Sequence, residues 1–154
     1  KESDQETRIN YREIFREDLF FFDEDFKEKG QILAYMTKKM NQKGFMSEDA
    51  AQSVLKREEM ATTELGNLVA IPHAMSNDSG EAVVSVMILK KPILWENEKV
   101  QVVLLLNIPK SQYSIWEIVF KRLYHYLIDH QGVSRLIKDQ NYEEFIDQLE
   151  NREE

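Results

Sequence analysis

The chain has 154 residues and a formal net charge of −8, with 28 Asp and Glu set against 20 Lys and Arg. That length suits one domain with a proper core, and a composition of 42% hydrophobic and 31% charged residues is that of a globular protein. The acidic balance argues against direct contact with nucleic acid, since a basic face supplies most of the affinity for a phosphate backbone. Lys27-Glu28-Lys29 and Lys56-Arg57-Glu58-Glu59 mix both signs as a solvated surface does. No apolar run approaches the roughly 20 residues of a membrane-spanning helix, so no membrane insertion is expected. The absence of cysteine excludes disulfides, thiolate metal sites and cysteine nucleophiles, and suits a cytoplasmic location. The first residues, Lys1-Glu2-Ser3-Asp4, form no apolar leader and include no Met, as expected of a segment of a longer protein.

Residues 1–12 are polar and aperiodic and are expected to be a flexible arm or linker end, with a single domain over 13–152. Asp18 to Phe22 reads as an early strand. From Asp25, Phe26, Leu33, Met36 and Met40 recur at helical spacing, and Gly44 is a natural stop. Ser47 caps a second helix, with Glu48 and Asp49 in its first turn and a buried stripe of Ala51, Val54 and Leu55. Leu68–Ile71, Ala82–Leu89 and Val100–Ile108 are rich in β-branched residues, and the last is apolar enough for a strand covered on both faces. Lys91-Pro92 and Glu96 to Lys99 are expected as turns. After Pro109 a helical stripe uses Trp116, Val119, Phe120, Leu123 and Leu127. Asn141 with Glu144 opens a last helix carrying Phe145 and Leu149. This order predicts an α/β (α+β) fold.

The stretch from Lys56 to His73 carries the chemistry. It reads as a helix end, a loop with hydroxyls and Gly66, a short strand, and a histidine directly after proline. Pro72 fixes its own φ and biases Ile71 toward extended geometry, so His73 leaves the strand in a set direction. Histidine, with an ordinary pKa of about 6.5, is a competent neutral nucleophile. Phosphoryl transfer needs in-line placement and donors for the equatorial oxygens. Arg57 offers a charged fork, Thr62 and Thr63 hydroxyls, and the Gly66 loop backbone N–H groups. Read from residue types alone, a phosphate acceptor and a packing histidine both remain open. There is no HExxH, no clustered metal ligands and no Gly-x-Ser-x-Gly elbow, so a metal or serine hydrolase is disfavoured and no metal or cofactor is expected.

The stretch resembles the signature of the fructose/mannitol-type (type 2) IIA domains of the sugar phosphotransferase system. The matching positions are Arg57-Glu58, Thr62-Thr63, Gly66, and Ala70-Ile71-Pro72-His73. Gly44 matches the helix–Gly–helix lead-in, and Lys91-Pro92-Ile93-Leu94-Trp95 followed by the buried strand matches a downstream block. The resemblance implies a mixed central sheet flanked by helices on both faces. It also implies His73 as phosphoacceptor, with Arg57, Thr63, Thr62 and Glu58 as candidate site residues. The phosphocarrier HPr or a IIB protein is the implied partner.

Sugar-transporting members of that family carry a second active-site histidine at the start of the helix after the long strand. Here that position falls near Trp116, while His125 and His130 lie further along and are expected at the surface or at helix ends. This departure favours a regulatory module of a multidomain transcriptional regulator or antiterminator, in contact with neighbouring domains of the same polypeptide. The alternative is a catalytic IIA component passing phosphate from HPr to a IIB subunit during sugar uptake.

Overall fold

The computed structural model describes residues 9–75 and 80–151. Asn10 caps a short helix, α1 (Tyr11–Ile14), which leads into strand β1 (Phe15–Glu24). Helices α2 (Lys29–Gln42) and α3 (Glu48–Met60) follow. Next come β2 (Glu64–Gly66), β3 (Val69–Ala70), β4 (Val83–Leu94) and β5 (Lys99–Asn107). Helices α4 (Tyr113–Leu127), α5 (His130–Asp139) and α6 (Tyr142–Asn151) complete the chain.

The strands form one mixed sheet in the order β1-β4-β5-β3-β2. β1 runs parallel to β4 and β3 parallel to β5, whereas the β4–β5 and β2–β3 pairs are antiparallel. Side chains alternate between the two faces of a strand, and both central strands are apolar on both. Val84, Val86 and Ile88 with Val102, Leu104 and Leu106 pack under α4, α5 and α6. Val83, Met87 and Leu89 with Val103 and Leu105 pack under α2 and α3. The result is a helix–sheet–helix sandwich with two cores, the expected α/β class. Among the described residues no helix is long and apolar enough to cross a membrane.

Local signals acted as expected at several points. The Ser47 hydroxyl oxygen accepts from Ala50 N at 3.1 Å, Asn141 Oδ1 accepts from Glu144 N at 2.9 Å, and Gly44 takes φ +82° after α2. Four expectations need correction. Residues 1–8 lie outside the described residues, but Tyr11, assigned to the arm, is 4% exposed because its ring stacks on Phe15 in the first core. Lys91-Pro92 does not turn; β4 continues through it, with the pairing to β5 interrupted between Ile88 and Ile93. A proline without an N–H fits such an irregularity. Phe26 precedes α2 and packs on Tyr35 from the connecting segment. On α3 the buried positions are Ala50, Val54 and Glu58, while Leu55 is 39% exposed. The helix is rotated from the expected stripe because a carboxylate, not a leucine, has inward partners.

Candidate functional site

The pairing of β3 with β5 continues past the strand end. Leu106 N donates to Pro72 O at 2.9 Å, and His73 itself bridges to Leu106 in parallel register. His73 therefore stands at the carboxyl end of two parallel strands, where open α/β sheets leave a crevice. It lines a pocket of about 260 Å³ with Ile71, Ala74, Leu106, Ile108, Tyr113, Trp116 and Phe120. Tyr113, Trp116 and Phe120 share one face of α4 at helical spacing and roof the imidazole.

The ring orientation follows from one contact. Nδ1 of His73 lies 3.0 Å from the carbonyl oxygen of Ile71. A carbonyl only accepts, so Nδ1 carries the hydrogen in this contact and the lone pair of the neutral ring sits on Nε2. The arrangement provides a half-buried nitrogen nucleophile of fixed tautomer in an apolar-walled pocket that is open to solvent.

The other site residues expected from the sequence are not among those lining the pocket. Glu58 is 5% exposed and Thr63 6%, and the two bind each other: Thr63 N donates to Glu58 Oε2 at 3.0 Å and Thr63 Oγ1 donates to Glu58 Oε1. Trp95 Nε1 also donates to Glu58 Oε2 at 3.0 Å, and Lys29 Nζ lies 3.9 Å from it. The Thr62 hydroxyl oxygen accepts from Glu64 N at 3.2 Å. Arg57 Nη1 donates to Ala61 O at 2.7 Å, closing the end of its own helix. Arg57 nevertheless lies one turn beyond Ser53, whose hydroxyl oxygen accepts from Met75 N at 3.0 Å in the loop after His73. Its face of α3 is thus turned toward that loop.

The Gly66 turn belongs elsewhere. Gly66 pairs with Val69 and starts the β2–β3 hairpin, whose two loop residues, Asn67 and Leu68, both have positive φ. Val69 to His73 spans about 13 Å of strand, so the Gly66 N–H groups stand at the opposite end of β3 from the imidazole. The pair Thr62-Thr63, by contrast, lies at the His73 end, where Ile71 N donates to Thr63 O at 3.0 Å.

Tyr113, Ile108 and the site role of Phe120 were not legible as pocket residues. The only trace was an aromatic stripe on the helix after Pro109, which also reads as a core face. The position near Trp116 inferred for the missing second histidine does lie beside His73. His130 is exposed at the start of α5, next to the capping residue Asp129, and His125 is half-buried on α4.

The mixed-sheet sandwich, with His73 behind Pro72 at the carboxyl end of parallel strands, fits the class of type 2 IIA domains that the sequence resembles. The model of the phosphoenolpyruvate-dependent sugar phosphotransferase system, EIIA 2, matches residues 13–152, and the chain belongs to that family. It is 33% identical over 150 residues to a probable licABCH operon regulator of Bacillus subtilis, covering 97% of this chain and 23% of the regulator. It is 26% identical over 132 residues to the transcriptional regulator ManR of the same organism, covering 86% and 20%. The chain thus spans about a quarter or less of the length of these regulators. Its fold is similar to that in the Escherichia coli complex of enzyme IIAMTL with phosphorylated enzyme IIBMTL, at a TM-score of 0.77 and 17% identity, over 90% of this chain and all of that one.

Proposed function

We propose that this domain accepts a phosphoryl group on Nε2 of His73 and acts as a regulatory module of a longer cytoplasmic transcriptional regulator of sugar-utilisation genes. The observation that carries the reading is the contact of His73 Nδ1 with Ile71 O, which leaves Nε2 as the nucleophile. The donor is the phosphohistidine of HPr or a phosphorylated IIB protein. The Nε2 lone pair attacks phosphorus, the bond between phosphorus and the donor atom breaks, and its electron pair returns to that atom, a ring nitrogen in HPr. Positive charge then develops on the His73 ring, and the Ile71 carbonyl dipole stabilises it through Nδ1–H. Arg57, freed from Ala61 O, supplies a charged fork to the phosphoryl oxygens.

The regulatory part of the reading is supported by the likeness to two Bacillus subtilis regulators and by the small share of each that this chain spans. It is supported as well by Trp116, an indole where a relay domain has a second histidine. Phosphorylation adds roughly two negative charges to the His73 pocket and alters what neighbouring domains of the polypeptide meet there.

The test is phosphotransfer with enzyme I, HPr and labelled phosphoenolpyruvate, run beside His73→Ala. Acid-labile label on the unsubstituted chain alone supports the acceptor assignment, and label retained by the variant refutes it. Rapid passage of that label to an added IIB protein would favour the transport component over the regulator.

A further inference from the structure

Glu58 sits in the last turn of α3 as a buried carboxylate, which is costly unless it is fully partnered. Its partners come from three places: Trp95 just past β4, Lys29 at the start of α2, and both the N–H and hydroxyl of Thr63. From Thr63 the connection runs on to the imidazole. Thr63 O accepts from Ile71 N, and Ile71 O accepts from His73 Nδ1, each at 3.0 Å.

We propose that Glu58 is a positioning residue for His73, acting through Thr63 and Ile71 to hold the Nδ1–H tautomer and aim Nε2 at the incoming phosphorus. This rests on the reading of His73 as the phosphate acceptor. The local chain makes such a brace necessary. Pro72 has no N–H, so the Ile71 N–H is the last backbone donor before the imidazole on the β2 side. On the β5 side, Pro72 O holds Leu106 N. If Thr63 shifts, the Ile71 carbonyl is free to rotate and the tautomer it selects is no longer fixed. Glu58 anchors Thr63 at two points, through main chain and side chain, and is itself fixed by the indole of Trp95. Its work is done before any phosphate arrives, and the Thr63 hydroxyl is committed to the carboxylate rather than to the phosphoryl oxygens.

The experiment reads the unphosphorylated 154-residue chain by ¹⁵N NMR of the His73 ring and, separately, the initial rate of phosphoryl transfer from HPr. Glu58→Gln keeps the shape of the side chain but turns one acceptor oxygen into a donor. Thr63→Val removes only the hydroxyl, which keeps the test open should the first variant fail to fold. Thr63→Ser restores the hydroxyl. The expected result is loss of the pure Nδ1–H signature in Glu58→Gln and Thr63→Val, a rate lower by about 10-fold, and recovery of both in Thr63→Ser. Folded variants that keep the tautomer and the rate overturn the brace. Absence of label on the unsubstituted chain would refute the acceptor reading instead, and the NMR arm alone would then decide the brace, with an unchanged tautomer refuting it.

Discussion

The indole of Trp116, one turn into α4, and the imidazole of His73, just past β3, are walls of the same pocket. The chain has one other tryptophan, Trp95, which is 4% exposed and tied to Glu58. Trp116 should therefore report the charge state of His73. Phosphorylation is expected to change the fluorescence emission of the chain, and Trp116→Phe or His73→Ala to abolish that change. An unaltered spectrum on fully labelled protein would contradict the neighbourhood described for the two residues.

Arg57 separates phosphate binding from stability. Its hydrogen bond to Ala61 O is exposed, so Arg57→Ala should cost less than about 1 kcal/mol in a urea titration. If it clamps the phosphoryl oxygens, the same variant should slow labelling of His73 by about 100-fold. Arg57→Lys should recover part of that rate, because an ammonium restores charge but not the fork. Equal labelling rates for all three proteins would remove Arg57 from the mechanism.

Glu64 predicts how stability varies with pH. Its Oε2 accepts from the backbone N–H groups of Glu96, Asn97 and Glu98 at 2.7, 2.7 and 2.8 Å, tying β2 to the β4–β5 turn. Burial pushes its pKa up, but these three donors and Thr62 outweigh it and hold the carboxyl below its ordinary 4.5. A depressed folded-state pKa means stability that is present above 4.5 and is lost as pH falls through the folded value. Urea midpoints measured from pH 7 down to pH 3 should fall less steeply in Glu64→Gln than in the unsubstituted chain. Parallel curves would show that the carboxylate is not what holds the turn.

Phe145 centres the first core. Its ring meets Phe15, Phe20 and Tyr126, all edge-on, at 5.3 to 5.6 Å between centroids. Phe145→Ala should destabilise the fold by about 3–5 kcal/mol. Leu55→Ala, on a residue the sequence pattern would bury but the structure leaves 39% exposed, should cost well under half as much. A comparable loss for both would mean that α3 is rotated from the position described.

The sequence by itself determined what depends on near neighbours. The caps at Ser47 and Asn141, the left-handed Gly44, the apolar run of β5 and the exit of His73 behind Pro72 are properties of a few consecutive residues, and each was readable as such. So was the ordered set of blocks that marks the family. Only the tertiary structure decided which distant groups meet. Thr62, Thr63 and Glu58 read as a cluster near a phosphate, but packing of α3 against β4 turns Glu58 inward to Trp95 and Lys29, and Thr63 follows it. The Gly66 loop read as a phosphate cradle, but the β2–β3 hairpin sends it to the far end of the strand. The aromatic roof over His73 exists because β3 pairs with β5 and the first turns of α4 lie over their carboxyl ends, while its last residue, Leu127, reaches the β2–β3 hairpin at the other end. Such meetings are set by strand register and by the sum of many weak apolar contacts, and neither quantity is carried by any short stretch of sequence.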